Sequence, residues 1–303
     1  MIAAIVILYY PDPATVNMLL SSLANEVDAV FAIDNTPGSR VDAPLTLHGF
    51  PGICRYIPLG KNVGIAAAQN IGIDISIYDG YSHVLLLDQD SVLLPNMVQN
   101  ILDTEQRLIQ CNIKIGAMGP LVVDRRSGVR PAAARYHCFF VHIVWPEMSN
   151  VDVIATDNLL ASGSLIRVDT LRTVGLMRED LFIEHVDTER AFRAGSMGYK
   201  HYCVCNASIS HCLGENSTRI LGKNIYLYDS LRYQYKLRNA VFLLRLRTMG
   251  WHWRFYTLAR IPYHLIVYTI FSKKHVRTFR LLLVSIWNGM RGNLGEISQS
   301  SDS

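Results

Sequence analysis

His83-Val84-Leu85-Leu86-Leu87-Asp88-Gln89-Asp90-Ser91 is the stretch on which the reading turns. Four consecutive apolar residues run straight into two carboxylates one residue apart. A short run of this kind is the pattern of a strand buried on both faces. Carboxylates at its end would sit at the rim of a sheet, where open α/β folds place ligands. Residues two apart in an extended segment point the same way, so Asp88 and Asp90 can converge on one target. Two readings follow. One is a hard divalent cation, Mg²⁺ or Mn²⁺, which takes oxygen ligands and usually also holds phosphate. The other is a solvated turn after a strand.

Outward from this stretch the pattern repeats. Ile2 to Tyr10 reads as a buried strand, ended by Pro11-Asp12-Pro13. Ala14 to Glu26 carries Val16, Leu19, Leu20 and Leu23 at helix spacing. Val27 to Ile33 is a second buried strand that ends in Asp34-Asn35. Strand, helix, and strand ending in Asp is the start of a parallel, nucleotide-binding type of sheet. The G-x-G-x-x-G fingerprint and the G-x₄-G-K-[ST] loop are both absent, which argues against a standard dinucleotide enzyme or P-loop NTPase. Ile53 to Ile57 reads as a third strand. Gly60-Lys61-Asn62-Val63-Gly64 precedes a helix over Ile65 to Ile77. Asn62 and Gly64 either shape a helix N-terminus near an anion or serve as a plain cap and turn.

Downstream, a helix is expected from Pro95 to about Gln110 and a strand over Ile115 to Val123. Residues 124–150 read as irregular, with Arg125, Arg126, Arg130 and Arg135 beside Pro and Gly, a candidate substrate loop. Val151 to Ala155 and Ser164 to Val168 read as strands. Leu181 to Arg190 again brings an apolar segment onto acids and opens a helix that stops at Gly198. Asp187 and Glu189 fall in its first turn, where acids also serve as simple partners of the helix dipole. His201 to Ile209 is the last expected strand, leading to His211. The group His201, Cys203, Cys205, His211 and Cys212 invites zinc, but its spacings miss the usual C-x₂₋₄-C pairs, and thiols buried on strands fit better. No secretory signal precedes the six cysteines, so free thiols in a reducing compartment are expected.

Charge divides the chain. Residues 1–218 hold 15 Lys and Arg against 22 Asp and Glu, a charge of −7, whereas residues 219–303 hold 14 against 3, a charge of +11. Half of all residues are hydrophobic and 18% are charged, which excludes a disordered chain. The basic end expects an anionic surface. Helical sequence is expected over Tyr226 to Leu246, and Ile261 to Phe271 is apolar but too short to span a bilayer. Basic and aromatic residues around short apolar faces read as an interfacial membrane surface, or as faces packed on the protein or on a second subunit. Ribonucleoprotein-type motifs are absent and the larger part is acidic, so nucleic acid is not the expected partner.

Five motifs fall in order: Ile5-Val6-Ile7-Leu8-Tyr9-Tyr10-Pro11; Ala32-Ile33-Asp34-Asn35; Asn62-Val63-Gly64 with Ala67 and Asn70; Asp88-Gln89-Asp90; and Phe182 to Glu189 with Arg193, Gly198 and Tyr199. His211, Arg232-Tyr233 and Arg238-Asn239 extend the series. In these motifs, over about residues 1–240, the chain resembles the family-2 glycosyltransferases of GT-A fold, most closely their bacterial rhamnosyltransferase branch. The resemblance implies an α/β fold with a mixed, mostly parallel nucleotide-binding sheet flanked by helices. It implies a catalytic domain over 1–218, with a nucleotide-sugar half at about 1–120 and an acceptor half at about 121–218, and a basic helical, membrane-associating region over 219–303. Tyr9 and Pro11 would lie beside the nucleobase and Asp34 would bond to it. Asn62 and Gly64 would border the donor pocket. Asp88 would touch ribose or metal, Asp90 would bind Mg²⁺ or Mn²⁺, and His211 would complete that site. Asp187 would be the catalytic base at an ordinary carboxylate pKa, with Glu189 and then Glu184 as rivals.

The implied reaction is inverting transfer of L-rhamnose from dTDP-L-rhamnose to a polyprenyl-diphosphate-linked glycan, such as an O-antigen, at the cytoplasmic face of a bacterial membrane. UDP-galactofuranose, UDP-GlcNAc or GDP-mannose as donor, or a catalytically silent nucleotide-sugar-binding scaffold, are the alternatives.

Overall fold

The computed structural model describes residues 1–40, 54–124, 133–137, 140–145, 151–211, 216–220, 223–227, 230–272 and 274–297; for 124, 211, 216–220, 223–227 and 230 only the backbone is described. The alternation of β1 (Ile2–Leu8) sets the core. Its odd residues Ala3, Ile5 and Ile7 face one buried cluster, and its even residues Ile2, Ala4, Val6 and Leu8 face another. A strand with apolar residues on both faces must be central, as the all-buried pattern of β1 shows.

The main sheet is built outward from β1. On one side lie β2 (Ala29–Asp34) and β3 (Cys54–Pro58), both parallel to it. On the other lies β4 (His83–Asp88), also parallel. Next come β10 (Leu165–Arg167), β6 (Ile115–Asp124), β11 (Lys200–His211) and β5 (Val92–Leu93), with β9 (Val153–Thr156) paired to β11. β10 is antiparallel to both neighbours, and β6 and β11 run parallel to each other. The sheet is therefore mixed and mostly parallel, as expected.

Helices α1 (Pro13–Leu23), α2 (Ile65–Tyr78) and α3 (Met97–Gln110) follow the expected periodicity. Asp12 caps α1 by accepting from the Thr15 amide at 2.9 Å, and Pro13 starts it. Three elements differ from expectation. Ser164 to Val168 is only a three-residue strand, because α4 (Val168–Val174) begins at once. Within the stretch expected to be irregular, β7 (Ala133–Tyr136) and β8 (Val141–Val144) form an antiparallel hairpin. Helix α6 (Ser230–Leu243) starts later than expected, because 216–220 and 223–227 pair as β12 and β13.

The C-terminal helices are not an appendage. Phe242 and Leu243 of α6, Met249, and Trp253 of α7 (Trp251–Ile270) share a buried cluster with Ile5 and Leu86 of the sheet. α8 (His275–Arg291) lies along α6, so closely that a Cβ on Gly289 would meet the Arg238 carbonyl. Among the described residues, no helix is long and apolar enough to cross a membrane.

Candidate active site

The carboxyl ends of β1, β2 and β4 meet at one edge of the sheet. The register places Leu8 beside Asp34 and Ile7 beside Asp88, so Asp34 and Asp88 flank the end of β1. Tyr9 emerges there. Its backbone is bracketed by Gln89, which accepts from the Tyr9 amide at 2.8 Å and donates to its carbonyl at 3.1 Å. The Tyr9 ring stays exposed, and Pro11 is half-buried two residues on.

Asp34 is only 3% exposed. It accepts from the Tyr56 hydroxyl at 2.5 Å and from the Thr36 amide at 2.9 Å. Burial and this neighbouring carboxylate push the Tyr56 hydroxyl well above its ordinary pKa, so it remains a donor. Asn35 and Asn62 interlock: the Asn35 amide donates to Asn62 Oδ1 at 2.8 Å, and the backbone N–H groups of Val63 and Gly64 donate to Asn35 and Asn62. Ala66 N–H reaches the Phe182 carbonyl at 3.4 Å. Of the two readings of Asn62 and Gly64, the geometry thus favours a shaped turn, since these three amides are engaged within the protein. Gly64 has φ +84°, and a Cβ there would lie 2.7 Å from Phe182, so only glycine fits.

Asp88 and Asp90 are both half-buried at the end of β4. Ser162 fixes this end, since its Oγ accepts from the Asp88 amide at 3.2 Å and lies 2.5 Å from Ser91 Oγ. As a donor set, two hard carboxylates suit Mg²⁺ or Mn²⁺, which are commonly held by one or two carboxylates together with substrate phosphates. Among the described residues no three His, Cys, Asp or Glu side chains gather as a complete metal cage. The His211 side chain lies outside the described part.

Asp187 opens α5 (Val186–Ser196) and accepts from the Thr188 amide at 2.7 Å. The loop before it is unusual. Phe182, Glu184 and His185 all have left-handed φ, at 65°, 65° and 63°. Each such non-glycine residue carries a strain of roughly 1–2 kcal/mol, so the loop must be held from outside. One face of α6 holds it. Asn239, 0% exposed, donates from Nδ2 to the carbonyls of Leu181, Ile183 and Glu184 at 2.9, 2.7 and 3.0 Å. Tyr235 stacks on Phe182 with centroids 5.2 Å apart, and Arg232 pairs with Glu184 at 2.5 Å. Arg238 bridges the Leu181 carbonyl and that of Gly295, beyond α8. Arg232 and Arg238-Asn239 belong to the motif series without an assigned role there; Arg232, Tyr235 and Asn239, spaced three and then four apart on one helix, carry the signal of a shared face.

Electrostatics separate the acids. Burial pushes the Asp187 carboxyl up to about 6, against the pull of the Thr188 amide, with the charges of Glu184 and Asp88 adding to the rise. This replaces the expectation of an ordinary pKa. Asp88 thus lies near enough for its charge to be felt at Asp187. Burial would raise Glu184 as well, but Lys236 and Arg232 outweigh it and hold that carboxyl below the usual range. Glu189, 2% exposed, is gripped by Arg193 at 3.0 to 3.2 Å, and Arg193 in turn donates to the carbonyls of Val174 and Leu176. Its carboxylate therefore ties α5 to the segment after α4.

Were Asp187 to serve as a base, it would work only when ionised, and kcat/KM of the free chain would fall on the acid side with a limb near pH 6 rather than near 4. A pH profile at low substrate, with a limb at or below 4.5, would overturn this assignment.

Residues 4–115 match the family model of glycosyl transferase family 2. The chain is 29% identical over 255 residues to the dTDP-rhamnosyl transferase RfbF of Shigella flexneri, covering 80% of each. Among solved structures it resembles TarS 1–349 of S. aureus in complex with UDP-GlcNAc, with a TM-score of 0.58 and 13% identity over 95% of this chain and 81% of that one. It also resembles GalNAc-T7 with UDP, GalNAc and Mn²⁺, again with a TM-score of 0.58 and 13% identity, over 86% of this chain and 55% of that one. At such identities the solved structures speak for the fold alone.

Proposed function

We propose, from the premise that the chain is a family-2 glycosyltransferase, that it transfers L-rhamnose from dTDP-L-rhamnose with inversion to a lipid-linked glycan. The observation that carries the mechanism is the electrostatic proximity of Asp88, at the end of β4, to Asp187, at the start of α5, whose carboxyl it helps to raise. The donor side is the sheet edge. Tyr9 offers an exposed ring for a nucleobase to lie against, Pro11 borders it, and Asp34, held by Tyr56, has lone pairs left to accept from a base N–H. Asn62 and Gly64 shape the adjoining wall. Asp88 and Asp90, with His211 as a further ligand, would hold a Mg²⁺ or Mn²⁺ against the diphosphate, and the bound cation would supply the positive charge that makes the nucleoside diphosphate a competent leaving group.

Asp187 takes the proton of the acceptor hydroxyl as the anomeric carbon is attacked from the face opposite the leaving group. Its raised pKa suits this, because a stronger base with the correct charge at pH 7 to 8 accepts the proton more readily. Glu189, held by Arg193, serves to anchor α5. The dTDP-L-rhamnose reading rests on the RfbF relative.

The acceptor side involves the C-terminal helices. The residues α8 turns inward are Thr278, Leu282, Ser285 and Gly289. Its outward face carries Val276, Phe279, Leu283, Trp287 and Met290, all exposed and spaced as one helical stripe. Residues 251–291 contain seven Lys and Arg and no Asp or Glu. An apolar stripe among cations and no anions fits an anionic bilayer, where a polyprenyl-linked acceptor resides, better than a protein partner. The intact chain is expected to float with vesicles containing phosphatidylglycerol, less so at high salt, and the double variant Leu283→Glu, Trp287→Glu is expected to stay at the bottom of the gradient. A chain that sediments as a dimer and ignores such vesicles would assign the stripe to a second copy instead.

The whole reading is tested by offering labelled sugar nucleotides to the chain with bacterial membranes. Label from dTDP-L-rhamnose is expected in the solvent-extractable lipid fraction. Label only from a UDP- or GDP-sugar would overturn the donor, and label only in water-soluble product would overturn the acceptor.

A further inference from the structure

A small, partly open cavity of ≈ 20 Å³ is lined by Asp187 together with Gln69 of α2, Ala117 of β6, Arg190 of α5 and His201 of β11. Gln69, Arg190 and His201 are 3%, 3% and 4% exposed. Each of these lining residues carries a buried polar atom without a protein partner: Gln69 Oε1, Arg190 Nε and His201 Nδ1. Buried polar atoms without partners are rare, and three around one hole call for a common cause.

The bonding directions are complementary. His201 Nε2 lies 3.0 Å from the Ala191 carbonyl. A carbonyl only accepts, so Nε2 carries the proton. Burial, with Arg190 beside it, holds the imidazole down to about 4, so at neutral pH His201 Nδ1 is a lone-pair acceptor. Gln69 Oε1 is a second acceptor and the Arg190 Nε–H is a donor. One water molecule would suit all three, donating one hydrogen to His201 Nδ1 and the other to Gln69 Oε1 and accepting from Arg190 Nε. A buried water typically makes about three bonds and needs roughly 10–15 Å³, which this cavity provides.

We propose that this chamber is a binding site for a single ordered water, and that Gln69 and Arg190 act through it as positioning residues for Asp187. Arg190 follows Asp187 by one helical turn, and its other nitrogens reach the Gly116 carbonyl of β6 at 3.4 and 3.5 Å. Gln69 belongs to α2, the helix that follows the Asn62–Gly64 wall. The water thus links the helix behind the donor wall to the helix that carries the base. The site itself stands apart from the proposed reaction; only its effect on turnover rests on Asp187 being the base.

The test has two parts. A high-resolution crystal structure of the whole chain is expected to show one water within hydrogen-bond distance of Gln69, Arg190 Nε and His201 Nδ1. An empty chamber, or side chains paired directly with one another, would overturn the site. In transfer assays, Gln69→Leu is expected to lower kcat about tenfold with donor KM within twofold, while Gln69→Glu, which keeps an acceptor oxygen beside Arg190, stays within about threefold of the parent. Equal activity of all three proteins, or equal loss in both variants, would overturn the positioning role. If the water is present but Asp187→Asn remains active, the proposed base fails and the water site stands.

Discussion

Asp187→Asn is expected to lower kcat by about 10³-fold while donor affinity stays within about twofold, because a general base is worth roughly 10²–10⁴ and Asn keeps the shape of the side chain without its basicity. The same substitution is expected to raise stability at neutral pH. Burial lifts the Asp187 carboxyl from its ordinary 3.8 to about 6, so the folded chain disfavours the charge that the unfolded chain bears freely. The stabilising effect of holding this group neutral is complete below about pH 4 and is lost as pH rises through 6. At pH 7 the ionised group therefore costs at most about 3 kcal/mol at 1.36 kcal/mol per unit. A variant that melts higher, binds donor and does not transfer has lost chemistry and not structure. Loss of donor binding in parallel, or retention of transfer, would remove Asp187 from the base role.

Asn239→Ala is expected to cost about 10²-fold in kcat and roughly 2–3 kcal/mol in stability, although residue 239 lies far along the chain from the acids. Its amide holds the carbonyls of Leu181, Ile183 and Glu184, and truncation leaves these without that partner. Unsatisfied buried groups cost roughly 1–3 kcal/mol each, and the left-handed backbone of Phe182, Glu184 and His185 then relaxes. Relaxation moves the first turn of α5, and small displacements of a catalytic group are costly. Denaturant titration and steady-state kinetics on the variant check both effects. Unchanged kcat in a destabilised protein would show that the loop holds its geometry without α6.

The sheet was legible because β1, β2 and β4 are buried on both faces and announce themselves as apolar runs ending in polar residues. The places of Asp34 and Asp88 were legible for the same reason, as acids at the ends of such runs, whereas Asp187 follows a loop and opens α5. β10 was less so: three residues are too short for periodicity, and its antiparallel direction is set by pairing with Leu85 and Met118. The division of labour in the basic end was also hidden. Arg238 and Arg280 look alike in sequence, yet Arg238 is buried against the loop before α5 and Arg280 is exposed. The pKa of Asp187 and the chamber formed by Gln69, Arg190 and His201 depend on elements brought together from four parts of the chain, which no local pattern encodes.

The most direct measurement is calorimetric titration of dTDP-L-rhamnose into the full chain, first with Mn²⁺ and then with EDTA, beside the Asp90→Asn variant. Binding in Mn²⁺ is expected to weaken at least tenfold in EDTA and in the variant. Binding that is indifferent to both, or that appears only with UDP-GlcNAc, UDP-galactofuranose or GDP-mannose, would contradict this expectation.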